Sequence, residues 1–190
     1  VKGVFLDTET NGLNWTKHTV LEIALRILDL SSGEEFASYS SFINIGEEAW
    51  KKSSIDSLKF TGIKWEEIKD APTKEKIKKD LLQLFKTHKI RRGEAVFICQ
   101  NPTFDRIFFS HLIETESQEK SSLPYNWLDL ASMFWAKQIA SNVSPHLIEL
   151  SKDKIARLYH LPPEAMPHKA LNGVDHLIAC YEQVVGFPGV

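Results

Sequence analysis

The amino-acid sequence predicts an α/β fold built on a mixed sheet. Three observations carry that expectation: an apolar strand at the N-terminus running into acidic residues, an alternating strand close behind it, and a later apolar run followed by helical periodicity. Val4-Phe5-Leu6 reads as a buried strand that continues into Asp7-Thr8-Glu9-Thr10-Asn11-Gly12. Leu21, Ile23, Leu25 and Ile27 alternate with Glu22, Ala24 and Arg26, the period of a second strand. Ser31-Ser32-Gly33 is a turn, and residues 36–45 supply a third strand, so the short gaps imply an antiparallel meander. Residues 47–71 read as irregular chain or short helical pieces. Thr73 is placed to cap a helix whose buried stripe is Ile77, Leu81, Leu84 and Phe85.

Ala95-Val96-Phe97-Ile98-Cys99 has the uninterrupted apolarity of a strand covered on both faces. Asn101-Pro102 ends it and opens a helix with Phe104, Ile107, Phe108, His111 and Leu112 on one stripe. Residues 118–126 are polar and read as a loop, Trp127-Leu128 adds a short fifth strand, and residues 129–140 form a helix. Leu150-Ser151 has the pattern of a capped helix start with a hydrophobic staple to Ile155, the helix reaching about Tyr159. Residues 161–172 are expected to be a proline-interrupted loop, with the last helix starting near Gly173.

A length of 190 residues suits one domain with a substantial core. The 43% hydrophobic and 25% charged content is that of an ordinary globular chain, and no apolar stretch has the length of a membrane span. A formal net charge of −2 excludes a broadly basic nucleic-acid coat and leaves room for a partner held through bound cations. Cys99 and Cys180 stand far apart with no Cys-x-x-Cys spacing, which reads as reduced buried thiols in a cytoplasmic setting rather than a disulfide or zinc site.

The chemistry begins at Asp7 and Glu9. Residues i and i+2 of a strand share a face, so the two carboxylates project together beside a turn that Gly12 allows. Paired anions on a rigid strand call for a cation or a shared proton, and oxygen-only ligands suit Mg²⁺ or Mn²⁺. Asp105 falls in the first turn of the helix after the 95–99 strand, a place that the helix dipole alone would also favour. His168 lies on the late loop and Asp175 at the opening of the last helix.

Asp7, Glu9, Thr10 and Gly12 match the Asp-x-Glu-Thr-x-Gly motif, and Asn101, Phe104 and Asp105 the Asn-x-x-Phe-Asp motif, of the DEDDh 3′→5′ exonucleases, which the chain resembles from Val4 to Val185. That group includes bacterial proofreading subunits, RNase T and oligoribonuclease. Leu128-Asp129-Leu130-Ala131 is similar to its later helix start. The last motif departs from the pattern: the family has four residues between His and Asp, whereas six separate His168 from Asp175, and Gly173 holds the four-spaced position. A two-residue insertion at Asn172-Gly173, with Asp175 still in the first helical turn, accommodates this. His176 competes with His168 as base, although adjacent helical side chains diverge by about 100°. The family's tyrosine variant needs Tyr near position 171, where Leu171 stands.

The resemblance implies an RNase H-like fold with a central mixed five-stranded sheet flanked by helices, residues 1–190 forming one exonuclease domain. It implies hydrolysis of single-stranded DNA or RNA from the 3′ end, releasing nucleoside 5′-monophosphates. Asp7, Glu9, Asp105 and Asp175 would hold two Mg²⁺ or Mn²⁺ ions roughly 3.5–4 Å apart, with His168 as general base. The 3′-terminal nucleotide would meet Thr10, Gly12 and Leu13, with Trp15 stacking on a base and Asn101 beside the Asp105 loop. Phe104 and Phe108 read as core. A free-standing enzyme, homodimeric as in RNase T and oligoribonuclease, is expected over a polymerase-bound subunit. The alternative is a catalytically impaired nucleic-acid-binding or interaction module on the same fold.

Overall fold

The computed structural model describes residues 1–189. Strands β1 (Lys2–Thr10), β2 (Val20–Asp29) and β3 (Glu35–Phe42) form the meander. Three short helices follow, α1 (Glu47–Trp50), α2 (Ile55–Thr61) and α3 (Trp65–Ile68), then the longer α4 (Lys74–Thr87). The second half runs β4 (Ala95–Cys99), α5 (Pro102–Leu112), α6 (Thr115–Lys120), β5 (Trp127–Asp129), α7 (Leu130–Ala140), α8 (Lys152–Leu158) and α9 (Ala170–Val184). The five strands make one sheet in the order β3-β2-β1-β4-β5. β1–β2 and β2–β3 pair antiparallel, β1–β4 and β4–β5 parallel, which is the expected mixed sheet.

Strand alternation divides the core. Val4, Leu6, Ile23, Leu25 and Phe97 pack under α4 and α5, against Ile77, Leu81, Phe85, Phe108 and Phe109. Phe5, Ala24, Leu28 and Ile98 face the other way, under α7, α8 and α9, against Phe134, Ile155, Val174 and Leu177. β1 is central and covered on both sides, as its unbroken apolar start requires. Among the described residues no helix is long and apolar enough to cross a membrane, and Cys99 and Cys180 are buried and free.

Three boundaries differ from the sequence expectation. The third strand ends at Phe42, not at residue 45. Part of the polar stretch before Tyr125 is helical, as α6, which amphipathic counting missed because none of its residues is buried. The last helix begins at Ala170, not near Gly173. Its cause is remote in sequence: the Ala170 N–H donates to Glu22 Oε2 on β2 at 3.1 Å, so a buried strand carboxylate satisfies one of the first helical amides.

Asp129 connects two other turns. Its carboxylate accepts from the Ala131 and Ser132 amides to cap α7, and Oδ1 also accepts from the Asn101 N–H at 3.0 Å. Asn101 sits in left-handed backbone, φ 55°, at the entrance to α5. Asp129 therefore fixes both the β5–α7 and the β4–α5 turn. Replacing it, Asp129→Ala, is expected to cost about 1–2 kcal/mol, read as a lower urea midpoint at unchanged slope.

Candidate active site

The carboxyl ends of parallel strands in an open α/β sheet are where ligand crevices form, and β1 ends in acids. Asp7 and Glu9 share the face of Phe5, toward α8 and α9, while Thr8 points to the opposite face. Thr8 Oγ1 donates to Asp105 Oδ1 at 2.8 Å, which draws the first turn of α5 onto the strand end. The three carboxylates thus approach one cleft from both sides of the sheet. The cleft encloses about 630 Å³, and its wall also includes Thr10, Leu13, Phe60, Asn101, Phe104, Lys152, Glu164 and His168.

Burial makes this arrangement costly. Desolvation, with Lys152 partly offsetting it, pushes the Asp7 carboxyl up to about 6. Desolvation and then the neighbouring Asp7 push Glu9 up to about 8. Asp105 is raised by its own burial and by Asp7, against the hydrogen bond from Thr8. Lys152 responds in the opposite sense: burial alone would depress its ammonium, but Asp7 and Glu164 outweigh that and raise its pKa.

Lys152 and Glu164 complete the cleft without any sequence signal. Lys152, the first residue of α8, places Nζ 2.7 Å from Glu164 Oε2 and donates to the Gly173 carbonyl at 3.2 Å. Glu164 comes from the loop before α9 and is almost fully covered; its Oε1 lies 3.2 Å from His168 Nδ1. Burial would raise Glu164, yet the nearby His176, Lys152 and His168 hold it down at about 2. The His168 ring stacks on Phe60, centroids 4.3 Å apart and planes 13° from parallel, so the loop imidazole is fixed from two directions. A lone Lys and a lone Glu carry no motif; only the fold brings them to this cleft.

The structure brings Asp7, Glu9, Thr10, Leu13, Asn101, Asp105 and His168 to one cleft. It does not bring Asp175 there, which corrects the insertion reading of the last motif. Asn172 and Gly173 are regular helix within α9, with no bulge to absorb two residues. Gly173 lies in the first turn facing Asp7, so closely that a Cβ on it would fall 2.2 Å from Asp7 Oδ2. Two residues further round a helix is about 200°, and Asp175 is half-exposed and paired to Arg26 Nε at 2.5 Å, with Arg26 also bound to Glu35. Trp15 is likewise off the cleft wall: it is 53% exposed and lies against His111. Gly12 acts behind the wall, its carbonyl accepting from Thr10 Oγ1 and its missing Cβ making room for the His18 ring. His176, the other candidate base, is buried with Nδ1 3.7 Å from Glu164 Oε2 and does not line the cleft.

The donor chemistry of Asp7, Glu9 and Asp105 fits a hard divalent cation, which would relieve three crowded oxygen anions. It does not fit the expected pair of ions. The fourth carboxylate is missing from the turn that faces Asp7 and an ammonium stands beside it; as placed, no three such side chains among the described residues already close into a ligand cage, so even one ion would have to draw Asp7, Glu9 and Asp105 together.

A five-stranded mixed sheet in this order, with an acidic cleft at the end of its central strand, defines the RNase H-like class of fold. The RNase T exonuclease family model matches residues 4–181, and the chain belongs to that family. The DEDDh resemblance drawn from the two motifs is borne out. A curated relative, Exonuclease DPD1 (chloroplastic/mitochondrial) of Arabidopsis thaliana, is 25% identical over 180 residues, covering 94% of this chain and 54% of the relative; the chain thus spans about half its length. The cell-death related nuclease CRN-4 superposes with a TM-score of 0.75 at 15% identity, over 97% of this chain and 63% of that one. The nuclease domain of 3′hExo, described as a DEDDh family member bound to rAMP, gives 0.71 at 13% identity over 98% and 94%. E. coli exonuclease I in complex with a dT13 oligonucleotide gives 0.75 at 13% identity over 96% and 40%. These similarities establish the RNase H-like fold.

The raised carboxyls set a pH dependence. Because Asp7 and Glu9 have folded values of about 6 and about 8, above their unfolded ones, they favour the folded state only while protonated. That contribution is complete below about pH 4 and is lost as pH rises through 6 and then 8. In chelator, thermal melts at pH 8.5 should therefore show a lower Tm than melts at pH 5.5, and Glu9→Gln should flatten the difference. Mn²⁺ should raise the Tm at pH 8.5 in the wild type and less in Glu9→Gln.

Proposed function

We propose that this chain is a metal-dependent 3′→5′ exonuclease that removes nucleoside 5′-monophosphates from single-stranded DNA or RNA. The observation that carries the reading is one cleft in which Asp7, Glu9 and Asp105 face a buttressed imidazole, His168. Glu164 beside Nδ1 favours the tautomer protonated there, which leaves Nε2 free to accept a proton. His168 is then the base that takes the proton of the attacking water, and Glu164 stabilises the imidazolium that results. Thr10, Leu13 and Asn101 line the same wall, where they would seat the terminal nucleotide. Exposed Leu13 offers apolar surface to a base, and its 77% exposure leaves that surface free. Asp7, Glu9 and Asp105 would hold Mg²⁺ or Mn²⁺, which when bound supplies Lewis acidity toward water and phosphate oxygens. The oligonucleotide complex of exonuclease I and the rAMP complex of 3′hExo support single-stranded ends as the substrate class.

A second reading is favoured by one observation, Gly173 opposite Asp7 in place of a fourth carboxylate: a module that binds nucleic acid without cutting it. Labelled single strands separate the two. With Mg²⁺ or Mn²⁺, stepwise shortening from the 3′ end, blocked by chelator and by Asp7→Ala, is expected; binding without any shortening would favour the module. His168→Ala should lower kcat by about 10²–10⁴-fold, with KM little changed, whereas His176→Ala should leave most of the activity. The reverse ranking would reassign the base.

A further inference from the structure

The resemblance implies a pair of divalent ions, and this chain has the donors for fewer. We propose that it binds one divalent ion, and that the Lys152 ammonium stands as a fixed cation where a second ion would otherwise be held. The inference rests on the exonuclease reading for its catalytic meaning, but its geometry is independent of it.

Three features converge. Gly173 removes both a carboxylate and a Cβ from the α9 turn that faces Asp7, and the Asp7 carboxylate lies in the space so left. Lys152 donates to the carbonyl of that same Gly173, so its charge lies at the turn from which the missing ligand would project. Glu164 holds the ammonium at 2.7 Å, and both side chains are largely covered, 14% and 9% exposed, so the ammonium is fixed at that turn and is offset by one carboxylate rather than by water. An ammonium in that position repels a second divalent ion while attracting the same phosphate oxygens. With two of its three N–H donors on Glu164 and the Gly173 carbonyl, one remains for a phosphate oxygen as a point contact. Glu164 thereby has two tasks, one oxygen on Lys152 and the other on His168.

The test is calorimetric titration of the full chain with Mn²⁺ alone, with the count checked by the paramagnetic signal of bound Mn²⁺. The wild type should take up one ion per chain, and the double variant Gly173→Asp/Lys152→Ala should take up two. Lys152→Met alone should bind its one ion at least about tenfold more tightly, because a nearby positive charge is gone. Circular dichroism melts confirm folding of each variant, and Lys152→Met carries the test if the double variant does not fold. Two ions or none in the wild type, or unchanged or weaker Mn²⁺ affinity in Lys152→Met, would overturn the inference; so would a folded double variant that binds only one. One bound ion without any cleavage of labelled strands would instead overturn the exonuclease reading and leave the single-ion site standing.

Discussion

Three carboxylates are held out of water at the end of one strand, and the surrounding structure is organised by the need to tolerate them. Burial and mutual repulsion raise Asp7, Glu9 and Asp105 together, so each neighbour that lowers the repulsion is also a structural tie. Thr8 draws α5 to β1 and Lys152 draws α8 to α9, whereas Glu164 adds to the repulsion on Asp7 and Glu9 and is itself held by Lys152 and the His176 ring, tying its loop to both helices. The scaffold beneath is stiff: β1 lies in the middle of the sheet with apolar layers on both faces. Charges that cannot move apart must be compensated where they stand.

What the sequence shows of this is the part encoded locally. The i, i+2 spacing of Asp7 and Glu9 states their common face as soon as the strand is recognised, and the strand is recognisable because Val4-Phe5-Leu6 is apolar without interruption. The same holds for Ala95 to Cys99 and the helix opened by Pro102, which deliver Asp105. The order of those segments is enough for the mixed sheet. Lys152 and Glu164 are twelve residues apart within ordinary helix and loop, and nothing in their neighbours marks them. Their meaning lies in contacts with Gly173 and His168 that only the packed helices create.

The misplacement of Asp175 has a similar origin. Motif spacing on a helix is an angle, and the angle depends on where the helix begins. That start is set by Glu22, 148 positions earlier in the chain, accepting the Ala170 amide. With the helix begun there, Asp175 faces Arg26 and the surface, and Gly173 faces the cleft.

Gly173 also bears on which substitutions this site accepts. A side chain at that position does not return to an empty place, because its first carbon would land 2.2 Å from an oxygen of Asp7. An acidic residue there would require the Asp7 carboxylate to turn aside and would stand beside the Lys152 ammonium. The glycine therefore acts as a gauge of where the Asp7 carboxylate can rest: any side chain at this position redirects that carboxylate before it adds a ligand of its own.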